Sequence, residues 1–231
     1  LRTIDETVKG RQNRGTGYQY DSYGNVTFLC EYQNGFSPAP PATPCSGSYY
    51  RIVANQYTAP NTSKWIVSLP KQVDLKDASL NVVSSQKFYY DNQTFGAAPT
   101  KGLLTKIDTL MTGSTYTTTS VFNYDTYGNR TTEMDGEGDL TSTSYQCSNT
   151  QPYQVTAGGL TTTYAHNCVL GLPETITGPD SVAYNIRYDE YGRRDYEYWP
   201  DNSSTDPTVN YTYEWDGTLP NSTQIDRRET P

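Results

Sequence analysis

The sequence is short of the residues that usually carry chemistry. Among its 231 residues there is one histidine, His166, and no Gly-x-Ser-x-Gly, His-Glu-x-x-His or glycine-rich phosphate loop. The common nucleophilic, zinc and nucleotide sites therefore have no sequence support, and no cofactor is expected. No apolar run approaches the roughly 20 residues that cross a bilayer as a helix, so no membrane insertion is expected. No stretch holds a sustained 3.6-residue period, Asp74–Leu80 included, which leaves no helix of substance. Positive charge is scarce as well, with 17 Lys and Arg against 25 Asp and Glu, a net charge of −8 and no basic run. Nucleic acid and anionic membrane surfaces are poor partners for such a chain.

Cysteine is sparse and never in a Cys-x-x-Cys pair, which argues against zinc and redox dithiols. The four cysteines permit three connectivities. Their local spacing favours Cys30–Cys45 around a Pro-rich loop and Cys147–Cys168 around Gly158-Gly159. In the loop-entropy picture each bridge contributes on the order of 3 kcal/mol, and both imply an oxidising, extracellular compartment. The chain opens at Leu1 with neither Met nor signal peptide, which reads as a processed protein or an excised piece. Seven Asn-x-Ser/Thr sequons begin at Asn25, Asn61, Asn92, Asn129, Asn202, Asn210 and Asn221.

What the chain does have is tyrosine and threonine, 22 and 34 residues respectively, against a hydrophobic fraction of 34%. A disordered chain is poor in aromatics; this composition suits strands whose tyrosines bury ring area while keeping a hydroxyl at the wet edge. One unit recurs: Tyr20-Asp21-Ser22-Tyr23-Gly24-Asn25, Tyr124-Asp125-Thr126-Tyr127-Gly128-Asn129 and Tyr188-Asp189-Glu190-Tyr191-Gly192-Arg193. An Asp that opens a type I turn accepts a bond from the backbone two residues on. A Gly three residues later supplies the positive φ of a bulged hairpin closure. Each copy reads as the corner of a β-hairpin.

The run-up to the corner repeats even where the corner itself changes. Leu140–Ser148 and Leu160–Asn167 place Cys147-Ser148 and His166-Asn167 where Tyr-Asp would stand, and Val209–Gly217 is a further variant. The turn-opening positions 125, 148, 167, 189 and 216 lie 23, 19, 22 and 27 residues apart. Two short strands and two turns fill such a period, which indicates stacked hairpins. Tyr49–Tyr57, Lys64–Leu69, Leu69–Leu75, Ser79–Asp91 and Gly102–Met111 also read as strands, with Tyr89-Tyr90-Asp91 a weaker corner whose Gly96 arrives late. Residues 1–100 form a divergent portion with the Pro-rich disulfide loop and residues 101–231 the plainer repeats, expected as one continuous sheet.

The repeated Tyr-Asp-x-Tyr-Gly-(Asn/Arg), with runs such as Tyr-Thr-Thr-Thr, resembles the YD-repeat or Rhs-repeat family, most specifically over residues 88–200. That family includes bacterial Rhs toxins, the B and C components of insecticidal toxin complexes, and the extracellular shells of teneurins. The resemblance implies an all-β fold of stacked antiparallel β-hairpins forming a twisted, spiralling sheet, either an open ribbon or part of a hollow shell. It implies further repeats as partners, in the same or another polypeptide. In the toxin relatives the shell encloses a toxic polypeptide; in teneurins it supports adhesion.

Alternative chemistry is weighed residue by residue. Asp135, Glu137 and Asp139 alternate as calcium ligands would, but the segment lacks the sixth-position Gly and distal Glu of a calcium loop, and a solvated hairpin tip explains it better. The corner acids Asp21, Asp125 and Asp189 recur too regularly to be an acid–base pair and read as turn caps. Trp199 and Trp215 could form a sugar-binding platform, although cross-strand packing accounts for them more simply. His166 is expected to pack beside Tyr164. The leading expectation is thus a non-enzymatic, secreted or cell-surface scaffold that encloses cargo. Its rivals are an adhesion module binding a cell-surface glycan and a fragment of an autoproteolytic toxin.

Overall fold

Strand formers and turn formers alternate along this chain, and its backbone follows them. The computed structural model describes residues 3–6, 14–32, 49–200, 207–214 and 222–227, and every regular element among them is a β-strand. Cys45 and Trp215 lie outside the described residues.

Two compact units emerge, Leu1–Asn123 with Met134–Gly138, and Tyr124–Glu133 with Asp139–Pro231. The first contains β1 (Thr3–Glu6), β2 (Arg14–Tyr20), β3 (Val26–Tyr32), β4 (Arg51–Tyr57), β5 (Pro70–Asp77), β6 (Val82–Tyr90), β7 (Leu104–Thr112) and β8 (Thr115–Tyr124). From β1 to β8 each strand pairs antiparallel with the next. After β9 (Arg130–Asp135), the second unit continues with β10 (Leu140–Gln146), β11 (Gln151–Ala157), β12 (Leu160–Asn167) and β13 (Leu172–Thr177). It ends with β14 (Ala183–Tyr188), β15 (Arg194–Tyr198), β16 (Val209–Glu214) and β17 (Ser222–Arg227). From β10 to β17 the pairing is again antiparallel and sequential. The turn-opening positions 125, 148, 167 and 189 therefore stand at one end of this ladder, on successive hairpins.

Because each strand packs beside its sequence neighbours, burial comes from rows running across strands. In the first unit Cys30, Tyr32, Ile52 and Ala54 are buried, with Phe28 and Tyr49 against them. Burying such side chains contributes about 1.5–3 kcal/mol for each large one. The row then changes chemistry. Ala54 pairs with Asp74 and Asp74 with Ser85, both of these polar groups buried; on the same face of β6, Lys87 pairs with Asp108, also buried. In the second unit the row is Ile186–Glu197–Val209, an acid between two aliphatics.

Two local outcomes differ from the sequence expectation. Lys64–Leu69 is not a strand: it belongs to the β4–β5 connection, where Asn61 and Ile66 form an isolated bridge and Trp65 turns the chain at φ 56°. The β5–β6 turn is also a capped corner. Asp77 Oδ1 accepts the Ser79 and Asn81 amides, each at 2.9 Å, and Asn81 Nδ2 donates to Asp77 Oδ2 at 3.1 Å. Leu80 stands where the other corners carry glycine, at φ 67°, and is largely exposed.

A β-carbon in the left-handed region costs roughly 1–2 kcal/mol, against about 0.5–1 kcal/mol of extra chain entropy for glycine. Leu80→Gly is therefore expected to stabilise the fold by about 0.5–1 kcal/mol, read as a higher urea midpoint at unchanged slope.

Candidate functional site

The three Tyr-Asp corners superimpose bond for bond. Asp21 Oδ1 accepts the amides of Tyr23 and Asn25, each at 2.9 Å, and Gly24 N donates to Asp21 O at 3.2 Å with Gly24 at φ 85°. Asp125 does the same with Tyr127 and Asn129, and Asp189 with Tyr191 and Arg193, with Gly128 at φ 91° and Gly192 at φ 76°. The sixth residue also leaves its own corner. Asn25 Nδ2 donates to Asp21 Oδ2 at 2.9 Å and to Val67 O, in the next connection at that end, at 2.8 Å. Asn129 Nδ2 likewise joins Asp125 Oδ2 at 2.9 Å and Asn149 O at 2.7 Å. At the third corner Arg193 Nε donates to Asp189 Oδ2 at 2.7 Å, and its guanidinium lies over the ring of Tyr213, on β16, at 4.1 Å. The sixth position thus ties each corner forward to the following hairpin.

The tyrosines tie it backward. Tyr57, Tyr90, Tyr145 and Tyr188 each sit at a register shift near a strand end. Their hydroxyls donate to Val26 O, Pro70 O, Arg130 O and Pro173 O at 2.8–2.9 Å, and Tyr213 donates to Arg194 O at 2.8 Å. Val26, Pro70, Arg130 and Arg194 are the first residues of β3, β5, β9 and β15, and Pro173 is the second of β13. Burial raises the Tyr57 and Tyr188 pKa and pushes that of Tyr90 up to about 12, so these hydroxyls remain donors.

Where Asp is missing, other devices appear. Cys147, Ser148 and Asn149 all have positive φ, near 54–62°, in a left-handed turn closed by Thr150 N on Gln146 O at 3.1 Å. Asn167 Oδ1 caps the following turn through Val169 N and Leu170 N at 3.0 and 3.1 Å. A disulfide joins Cys147 to Cys168 between these successive corners, with their Cα atoms 5.1 Å apart. Cys30 is fully buried and disulfide-bonded; its expected partner Cys45 is outside the described residues. Asp91 is a variant on the capping theme. It accepts the amides of Thr100, Lys101, Gly102 and Leu103 at 2.6–3.0 Å and so organises the long β6–β7 connection.

Three buried carboxylates escaped the sequence reading. Asp74 accepts from Ser85 Oγ at 2.5 Å and Gln72 Nε2 at 2.8 Å, and Ser85 Oγ also contacts Tyr116 Oη at 2.8 Å. Asp108 takes Lys106 Nζ at 2.9 Å and Thr118 Oγ1 at 2.8 Å. Glu197 takes Tyr184 Oη, Arg194 Nη1 at 2.5 Å and Tyr211 Oη at 2.8 Å. Desolvation raises the carboxyl pKa of Asp108 and Glu197, but their donors outweigh it and hold both below the ordinary value. These acids are saturated with donors, and Ser85 is 1% exposed, so its hydroxyl is closed to a substrate. Their arrangement fixes strand register. Its signal in the sequence is an acid inside a strand with a donor at the same-face position, as in Gln72-Val73-Asp74 and Lys106-Ile107-Asp108.

The remaining sequence candidates are not brought together. Asp135 Oδ1 accepts Glu137 N at 2.9 Å within its own turn, and the described residues hold no cluster of three or more metal-ligating side chains. Trp199 is 57% exposed, edge-on to Tyr184 at 6.0 Å. His166 lies 6.2 Å from Tyr164, ring to ring, and its Nδ1 accepts Gln146 Nε2 at 2.9 Å. The described helices offer no membrane span, there being none.

No protein-family model and no curated protein matches the chain. Solved structures do. The crystal structure of TcdB2-TccC3 aligns at a TM-score of 0.61 and 12% identity over 87% of this chain, and its form without the hypervariable C-terminal region at 0.62 and 13% over 88%. A Tc holotoxin pore of Photorhabdus luminescens aligns at 0.50 and 14% over 99%. The chain spans only 16%, 15% and 11% of those chains. At such identities the likeness is one of fold: these toxin-complex chains contain the same kind of β-sheet.

Removing a rung-to-rung bond should cost more than removing a bond within a corner. Asn129→Ala is expected to destabilise by about 1–2 kcal/mol, and Tyr90→Phe, which strands Pro70 O, by about 1 kcal/mol. Asn81→Ala, whose side chain bonds only its own Asp77, should cost less than Asn129→Ala in the same urea titration. The corner acids also set the acid limit. Desolvation raises the pKa of Asp21, Asp91, Asp125 and Asp189, yet amide and side-chain donors lower each below 3.8; for Asp77 the Asn81 side chain is the main cause of lowering. Groups depressed on folding contribute stability above their unfolded pKa and lose it as pH falls through the folded one. Chemical denaturation should therefore give a flat stability at neutral pH and a decline beginning as pH drops towards 3.8, with no matching alkaline step from these groups.

Proposed function

We propose that this chain is a wall segment of a larger extracellular β-sheet shell, a structural scaffold without a catalytic role. The observation that carries the reading is the two-way tie at the corners, in which Asn129 reaches forward to Asn149 O and Tyr145 reaches back to Arg130 O. Such ties stiffen a ladder hairpin by hairpin, which suits a wall and is superfluous in a loop-borne active site. The fold likeness to TcdB2-TccC3 and to the Tc holotoxin pore supports it, as does the YD-type repeat of the corners. The partners that follow are further repeats in the same or another polypeptide and an enclosed polypeptide cargo. The Cys147–Cys168 disulfide supports a secreted or cell-surface location.

Cryo-electron microscopy of the full-length polypeptide, paired with limited proteolysis, tests the reading. This stretch should lie in a continuous β-wall, and an enclosed segment should resist protease until the wall is unfolded. A freestanding domain with no protected segment would overturn the proposal.

A further inference from the structure

The corner between β10 and β11 is built against the preference of its own residues. Cys147, Ser148 and Asn149 stand at φ 54°, 57° and 62°, the only run of three non-glycine residues in the left-handed region among the described residues. L-residues enter that region singly, asparagine most readily, because the β-carbon crowds the following carbonyl. At the Tyr-Asp corner of Asp125 a glycine takes the left-handed position and the carboxylate accepts two amides. Here neither is present. Thr150 does the local holding, with its N on Gln146 O at 3.1 Å and its Oγ1 on Cys147 O at 2.7 Å.

The remaining restraint is covalent. Cys147 is bridged to Cys168, which lies inside the next corner under the Asn167 cap. The first residue of the left-handed turn is thereby pinned to a neighbour that is capped independently. What the turn presents is the Asn149 carbonyl, the acceptor of the Asn129 side chain at 2.7 Å. The bridge also lies near solvent: Cys168 is exposed, and Val169 beside it is 94% exposed. Cys30, the other bridged cysteine among the described residues, is fully buried.

We propose that the Cys147–Cys168 bridge is a redox-sensitive latch, shut in an oxidising compartment and opened by a dithiol reductant. A thiolate of the reductant attacks Sγ of Cys168, the S–S bond breaks, and Cys147 leaves as a thiolate that takes up a proton. The second thiol of the reductant then displaces Cys168 from the mixed disulfide. The reductant ends as its cyclic disulfide and the protein with two thiols. Freed of the bridge, the turn leaves the left-handed region, Asn149 O moves away and the Asn129 tie is lost. The pairing of β10 with β11 is untouched. This latch uses only one corner and its neighbour, so it stands or falls apart from the wall reading.

Hydrogen exchange followed by NMR on the full chain, with and without dithiothreitol, provides the test. Reduction should speed exchange of the Thr150 amide and of the Asn129 side-chain amide about tenfold, the equivalent of one hydrogen bond lost. The Asn25 and Arg193 amides, held by Asp21 and Asp189, should exchange as before. Cys147→Ser combined with Cys168→Ser should open the turn without reductant. Ser148→Gly combined with Asn149→Gly removes the two β-carbons that resist the turn, so reduction should change Thr150 exchange less than in the parent. Alkylation mapping should label Cys147 and Cys168 before Cys30. Unchanged Thr150 exchange once both thiols are labelled would overturn the proposal. So would equal loss of protection at Asn25 and Arg193, an undiminished response in the glycine variant, or labelling of Cys30 first.

Discussion

The structure depends on hydrogen bonds that run between hairpins rather than within them. Strands that pack only beside their sequence neighbours bury few side chains completely. Fully apolar burial in the first unit centres on Cys30, Tyr32, Ile52 and Ala54. A ladder of this kind behaves as a one-dimensional stack, whose stability is a sum of rung and interface terms. Backbone pairing supplies much of each interface. The Asn side chains leaving one corner, and the tyrosine hydroxyls returning from the next, add neutral hydrogen bonds of about 0.5–1.5 kcal/mol apiece, and Arg193 adds a cation–π contact to Tyr213. The Cys147–Cys168 disulfide takes the same place between two corners that lack Asp.

The interior uses polarity for a related purpose. Asp74, Asp108 and Glu197 lie in rows that elsewhere hold aliphatic groups, and each is met by several donors. A buried ion pair adds little net stability compared with a well-packed apolar pair. Its effect is to punish error: a one-residue slip turns every side chain to the opposite face and strands the carboxylate. In a chain of near-identical Thr- and Tyr-rich strands, the number of wrong pairings of similar quality is large. Glu197 held by Tyr184, Arg194 and Tyr211 from three neighbouring strands selects among them.

Asp and Gly at fixed spacing dictate backbone geometry directly, so the all-β class and the corners at Asp21, Asp125 and Asp189 were readable from residues alone. The corner at Asp77 was hidden because Leu80 takes the left-handed position that glycine advertises and no tyrosine precedes the acid. Lys64–Leu69 has strand composition, yet the turn at Trp65 claims it for a connection. The tyrosines were assigned to packing, which is half correct: their rings are partly buried, but each hydroxyl target is a carbonyl 15 to 31 residues earlier, and no local pattern encodes it.

The Asn amides at the sixth position of the first two Tyr-Asp corners point toward chain that comes later. Asn25 needs a carbonyl 42 residues later, and Asn129 one 20 residues later. During synthesis, a newly emerged bend therefore holds an amide in water until its successor arrives to dock. The tyrosines complete the handshake from the arriving side. In a run of such hairpins, each bend's outward donor is satisfied only once the following hairpin is in place.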